Sequence, residues 1–215
     1  MDMWNEFFSS QVRSLLRSIT HTIDNSGQDI LPQRDEVLEI FCRISPKNVK
    51  VIIIAQGPYP SAMDACGIPF VSKSRRVPTS LENIKYEIER QYKTCIGNPN
   101  EMILSWIHDE GVFLLNNSPT LGINLPSHHI YLRDHSVVWR EFMSYLLPFL
   151  TKDPDIPIIL MGNVAWELET FIRSKCILKV PHPVSRGDKS FIGCGVFENV
   201  NNYLRSLGKA EIVWS

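Results

Sequence analysis

The sequence has no Cys-x-x-Cys pair. Its five cysteines (Cys42, Cys66, Cys95, Cys176 and Cys194) are odd in number and widely spaced. That spacing argues against a zinc or iron–sulfur site and leaves reduced, mostly buried thiols as the expectation, with no metal and no cofactor. No apolar run approaches the ~20 residues needed to span a bilayer. The first residues, Met1-Asp2-Met3-Trp4-Asn5-Glu6, lack the basic and apolar regions of a secretory signal, so a nuclear or cytoplasmic location is expected. Nor is there an excess of either charge. With 22 Lys and Arg against 23 Asp and Glu, the formal net charge is -1, so any nucleic-acid contact must come from a local basic patch. Internal repeats, low-complexity tracts and linkers rich in Gly, Ser or Pro are all missing. A length of 215 residues with 44% hydrophobic content therefore suits one globular domain over residues 1–215.

The hydrophobic patterning supplies the elements. Trp4 to Ile23 carries apolar residues at helical spacing, and Asp35 to Phe41 reads as a second helix. Val49 to Ile54 is β-branched, uninterrupted and of strand length, the pattern of a strand buried on both faces. Ser80 is placed to cap a helix running through Glu89, and Asn100 to His108 forms another helix, ended by Gly111. Three further strands are predicted at 112–116, 156–161 and 176–180, with helices at 137–150, 165–173 and 196–206 between and after them. Alternating strands and helices predict an α/β fold, with a central four-stranded, mostly parallel sheet flanked by helices on both faces.

Each predicted strand is followed by a loop with a polar or ring residue: Gln56 and Tyr59, Asn116, Asn163, and His182. The carboxyl ends of parallel strands share one edge, so these loops should converge on one crevice. The side-chain amide of Asn116 offers a donor beside an acceptor and can read a base edge with one carbonyl next to one N–H. Its alternative role is to satisfy the end of a strand. His182, stiffened between Pro181 and Pro183, can donate to a developing oxyanion or be a solvated loop histidine. Phe70 can stack on a base or be core.

The stretch Ala55-Gln56-Gly57-Pro58-Tyr59-Pro60 resembles the water-activating loop of family 1 uracil-DNA glycosylases, Gly-Gln-Asp-Pro-Tyr-His, at three of six positions. The resemblance extends from about Trp4 to Trp214. Gly67-Ile68-Pro69-Phe70 is similar to the family's base-stacking segment and Gly111-Val112-Phe113-Leu114-Leu115-Asn116 to its second motif. Pro78-Thr79-Ser80-Leu81 resembles its proline-rich loop and Leu160-Met161-Gly162-Asn163 its Gly-Ser loop. Pro181-His182-Pro183-Val184-Ser185-Arg186 and Phe191-Ile192-Gly193-Cys194 resemble its minor-groove loop and the segment after it.

The resemblance implies a base-flipping N-glycosylase of base excision repair, acting as a monomer on uracil in single- or double-stranded DNA. Phe70 would stack on the uracil and Asn116 would read O4 and N3–H. Tyr59 would exclude a methyl group at C5, and the Gln56 backbone would touch the ring. His182 would stabilise the departing anion, while Ser80, Asn163, Ser185 and Arg186 would contact the DNA. The resemblance also marks departures. Gly57 occupies the position of the catalytic aspartate, and Pro60 that of a histidine. Asn163 and Val184 stand where phosphate-gripping serines are usual, and Arg186 where a leucine usually enters the duplex. Pro60 and Arg186 look like the poxvirus branch, in which the glycosylase also serves as a scaffold for the viral DNA polymerase.

Two functions are therefore carried forward: a glycosylase weakened by Gly57, and a non-catalytic DNA-binding or replication-scaffold protein with a replication protein as partner. A small-molecule enzyme on a similar sheet is a third. Asp64, in the same loop as Gly57, reads either as a replacement carboxylate or as a solvated one. Lys73, Arg75, Arg76, Lys179, Arg186 and Lys189 are the candidate phosphate patch.

Overall fold

The structure is a computed structural model describing residues 4–124 and 131–215. In chain order it runs through helix α1 (Ser10–Asp24), strand β1 (Asp29–Leu31), helix α2 (Ile40–Arg43), strand β2 (Val51–Ala55), helix α3 (Thr79–Tyr92) and helix α4 (Pro99–His108). Strands β3 (Val112–Asn116), β4 (Leu121–Asn124) and β5 (Tyr131–Asp134) follow. Helix α5 (Ser136–Leu150), strand β6 (Ile158–Met161), helix α6 (Asn163–Trp166), strand β7 (Ile177–Val180) and helix α7 (Val196–Ser206) complete the chain.

The main sheet has the order β3-β2-β6-β7, and all its strands are parallel. Every residue of β2, β3 and β6 is buried, which is why these segments lack the alternation of a half-exposed strand. At the edge, β7 leaves Lys179 exposed, a charge that blunts pairing with another chain. The four-stranded parallel sheet with its helices is the architecture expected from the alternating pattern.

Several predicted elements differ in detail. Trp4 lies ahead of α1, which begins only at Ser10 after a Ser9 cap. It is fully buried, donates from Nε1 to the Ile44 carbonyl at 2.9 Å, and packs edge-on against Phe41. Its apolar periodicity thus belongs to an aromatic cluster under the sheet rather than to a helix. The helix predicted at 35–41 is broken into a 3-10 turn (Arg34–Glu36) and the short α2. The one predicted at 165–173 is α6 followed by a 3-10 turn (Glu167–Phe171). Ser80 does not cap α3: Pro78 occupies that position, and Ser80 is buried inside the first turn. The cysteines are also less buried than expected, with Cys42 and Cys95 exposed and the other three half-buried.

A second sheet was not anticipated. Strands β1, β4 and β5 form an antiparallel sheet in the order β1-β4-β5, with Leu31 opposite Leu121 and Leu121 opposite Asp134. Its strands are too short for alternation to register. This sheet matters for the site because it brings Leu121 and Asp134 to the edge where the parallel strands end. No described helix is long and apolar enough to cross a membrane.

Candidate active site

The register of the main sheet builds the floor of the site. Ala55 and Asn116, the last residues of β2 and β3, lie opposite one another. Beyond them the two loops are laced together: Asn117 N donates to Ala55 O at 2.8 Å and Ser118 N to Gln56 O at 3.1 Å. On the other side of β2, Gly162 N donates to Val180 O at 2.9 Å, joining the loops after β6 and β7. Above this edge opens a cavity of about 590 Å³. Gln56, Gly57, Tyr59, Phe70, Ser80, Asn116 and His182 all line it.

Asn116 is 4% exposed, and its Oδ1 is buried without a hydrogen-bond partner among the described residues. A buried acceptor left unpaired costs about 1–3 kcal/mol, so the position calls for a donor arriving with a ligand. Phe70 is buried with φ +68°, a conformation that L side chains rarely adopt and that persists only where surroundings enforce it. Here the enforcement is visible. The Tyr59 hydroxyl donates to the Phe70 carbonyl at 3.0 Å, and the Cys66 thiol donates to the Val71 carbonyl at 3.3 Å. Gly67 just before it must be glycine, because an added Cβ would fall 1.8 Å from the Glu36 carbonyl oxygen.

Tyr59 ties three walls together, since its hydroxyl also lies 3.0 Å from Ser80 Oγ on α3. Burial pushes its pKa up to about 12, so the hydroxyl stays protonated. Ser80 therefore serves the cavity wall, and its hydroxyl is occupied by Tyr59.

His182 packs its Cβ against Gly162, where an added Cβ would lie 3.3 Å away. Burial lowers its pKa below the usual histidine value, favouring the neutral ring. The Val184 N–H donates to Nδ1 at 3.3 Å, so the ring proton belongs on Nε2, which is left as a donor. The loop is held from outside by Asn83 Nδ2, which donates to the Pro183 carbonyl at 2.8 Å. Farther along, the fully buried Glu87 of α3 accepts from Gly193 N and Gly195 N at 2.7 and 2.9 Å. Burial opposes its ionisation, but Arg90 and these two N–H groups outweigh it and hold the carboxyl below its ordinary pKa.

The other predicted residues lie apart from the cavity. Asn163 is exposed at the start of α6 and is not part of the lining; neither are Ser185 and Arg186, beyond Val184. Asp64 does not line it either. Its Oδ1 accepts from the hydroxyls of Ser72 at 2.6 Å and Ser74 at 2.7 Å, which hold its pKa below the usual range and make it a loop clamp. An added Cβ at Gly57 would meet only Ser118 O, at 3.8 Å, so the space for a side chain exists and is unfilled. The basic patch is partly neutralised, with Lys73 paired to Glu36 and Lys179 to Glu169. Arg75, Arg76 and Arg186 have no ion pair among the described residues, and the side chain of Lys189 lies outside them.

Sequence reasoning missed the lining residues Ser118, Leu121 and Asp134. Only the second sheet brings Leu121 and Asp134 to this edge, and its strands left no periodic signal. No group of three or more His, Cys, Asp or Glu among the described residues is arranged to hold a metal ion.

The relatives and the solved structure described below share one family name. No family model matches the chain. A uracil-DNA glycosylase of Human herpesvirus 6A is 32% identical over 209 residues, covering 93% of this chain and 79% of that protein. One from Dictyostelium discoideum is 32% identical over 216 residues, and one from Mycoplasma genitalium 26% identical over 226 residues. These two alignments cover 97% and 99% of this chain. The chain spans 60% of the length of the Dictyostelium protein and 89% of the Mycoplasma protein. Among solved structures, a mimivirus uracil-DNA glycosylase superposes with a TM-score of 0.78 at 22% identity, covering 99% of this chain and 86% of that one, which supports the fold.

Proposed function

The chain belongs to the uracil-DNA glycosylase family, and from that membership we propose that it excises uracil from DNA with a chemical step weakened at Gly57. The observation that carries this reading is the unpaired, buried Oδ1 of Asn116 in a cavity that Phe70 also lines. Uracil offers N3–H to that oxygen and O4 to the amide N–H, whereas cytosine presents the inverted pattern and would leave both groups unsatisfied. A deoxyuridine turned out of the DNA would place its base against Phe70. Tyr59, pinned between Phe70 and Ser80, would leave no room for a methyl at C5.

Bond cleavage follows from the same arrangement. The C1′–N1 electron pair leaves with the uracil, and the negative charge that develops on O2 is met by the Nε2–H of His182. The sugar passes through an oxocarbenium-like state, and water adds at C1′. Gly57 has no side chain to offset that positive charge or orient the water. Loss of one aligned electrostatic group commonly costs ~3–4 kcal/mol, about two to three powers of ten in rate.

The test is single-turnover excision from a uracil-containing oligonucleotide, with Gly57→Asp alongside the native chain. Slow formation of abasic product is expected, rising by about tenfold or more in the variant. The second reading, a non-catalytic DNA-binding protein or replication scaffold, is favoured by Gly57 and by the poxvirus-like Pro60 and Arg186. It prevails if stoichiometric protein binds the DNA yet neither the native chain nor Gly57→Asp releases uracil.

A further inference from the structure

We propose that Asp134 supplies part of the negative charge that position 57 lacks, acting on the sugar from the lining of the same cavity. The inference rests on the glycosylase reading above and names a residue that reading does not use. Among the described residues Asp134 is the only carboxylate lining the cavity, and burial favours the neutral ring of His182, which also lines it. The alternative carboxylate, Asp64, is tied up by Ser72 and Ser74 outside the lining.

The position of Asp134 is fixed by the second sheet. It ends β5 opposite Leu121, which itself lines the cavity. Leu121 follows the short turn from Ser118, whose carbonyl oxygen is the nearest atom to the missing side chain at position 57. One short segment, residues 118–121, therefore connects the unfilled space at Gly57 to the strand paired with Asp134. Next in sequence, His135 is 4% exposed and hydrogen-bonded to Thr120 Oγ1 at 2.9 Å, which anchors the corner from behind. The Asp134 Oδ1 accepts from Ser136 N at 2.8 Å, and Oδ2 has no donor among the described residues. That free oxygen is the part of the carboxylate available to substrate.

The task asked of it is electrostatic and then basic. As the C1′–N1 bond breaks, the bonding pair departs with the uracil and positive charge grows on the sugar, where a carboxylate on the cavity rim stabilises it. Water oxygen then bonds to C1′, and the water proton is taken up by Asp134. Atoms and charge balance without any further reactant. An acidic group on a surface that must approach phosphates weakens DNA binding. Its presence at this rim is therefore costly unless it contributes to the reaction.

The test is a double-mutant cycle on the full chain, reading single-turnover excision and DNA affinity separately. Asp134→Asn keeps an acceptor for Ser136 N–H and removes the charge; Asp134→Ser does the same with a hydroxyl and guards against a folding defect in the first variant. Each is expected to slow excision by about tenfold or more while DNA binding is unchanged or tighter. In a Gly57→Asp background the same substitutions should cost less than about threefold, because the restored carboxylate does the same work. An equal cost in both backgrounds would assign Asp134 a purely structural role and overturn the inference. So would a native chain that cuts uracil as fast as its Asp134 variants, and in that case the glycosylase reading stands. If neither the native chain nor Gly57→Asp cuts, both readings fall together.

Discussion

On the side of the cavity that would face the base, Asn116, Phe70 and Tyr59 are buried or half-buried, with Phe70 and Tyr59 cross-linked through one hydroxyl. On the side that would face sugar and phosphate, Gly57 leaves an open space, Val184 offers no side-chain donor, and Asn163 is exposed outside the lining. The two sides are made from the same strand ends, so the difference does not arise from the fold. On the first side Tyr59 also holds the loops together, and it cannot be lost without releasing Phe70 and Ser80. On the second side Gly57 has no side chain, and those of Val184 and Asn163 make no hydrogen bond among the described residues, so changes there release no loop. The two sides therefore differ in structural constraint, with Tyr59 tied into the loops and Gly57 and Val184 not.

The largest expected effect tests the base-facing side. Asn116→Ala removes both arms of the amide and should lower single-turnover excision by about two to three powers of ten, with thermal stability nearly unchanged, since Oδ1 has no partner to lose among the described residues. A variant that cuts within about threefold of the native rate would mean that the amide reads no base, and the contrast between the two sides would disappear. The Gly57→Asp and Asp134→Asn measurements probe the other side, and their expected effects of about tenfold come next in size.

How far these sides were legible in the sequence follows the same division. Val51–Ala55 and Val112–Asn116 announce themselves because strands buried on both faces leave unbroken aliphatic runs, and their parallel arrangement already brings Gln56, Asn116 and His182 to one edge. Asp134 stayed hidden because β5 has four residues and belongs to a sheet held by register rather than by periodicity. Ser80 looked like a helix cap because serine before an apolar residue usually is one; its hydroxyl went to Tyr59, a tertiary demand that local pattern cannot express. Trp4 misled in a similar way, with helical spacing that came from packing onto Phe41.

Tyr59 offers a smaller effect that sharpens the comparison. Truncation by Tyr59→Ala should open the space beside C5 and reduce discrimination between uracil and thymine by about tenfold, the scale of one methyl group in an apolar pocket. Competition between uracil- and thymine-containing oligonucleotides measures it. The hydroxyl also supports Phe70 and Ser80, so excision of uracil should fall in the same variant. Unchanged discrimination would remove Tyr59 from the base-facing side.

The smallest effect belongs to Val184, which is 45% exposed at the cavity mouth, two residues beyond His182. Its backbone N–H is already directed to His182 Nδ1, so only the side chain is free to meet a phosphate, and an isopropyl group cannot. Val184→Ser supplies one hydroxyl donor of nearly the same size and should tighten DNA binding by about twofold to fivefold, the worth of a single hydrogen bond at a wet surface. The gain should be the same for DNA with and without uracil, because a phosphate contact positions the duplex and reads no base. It should also leave the single-turnover rate at saturating protein unchanged. A gain confined to uracil-containing DNA would instead put Val184 in contact with the flipped nucleotide and move the boundary between the two sides past residue 184.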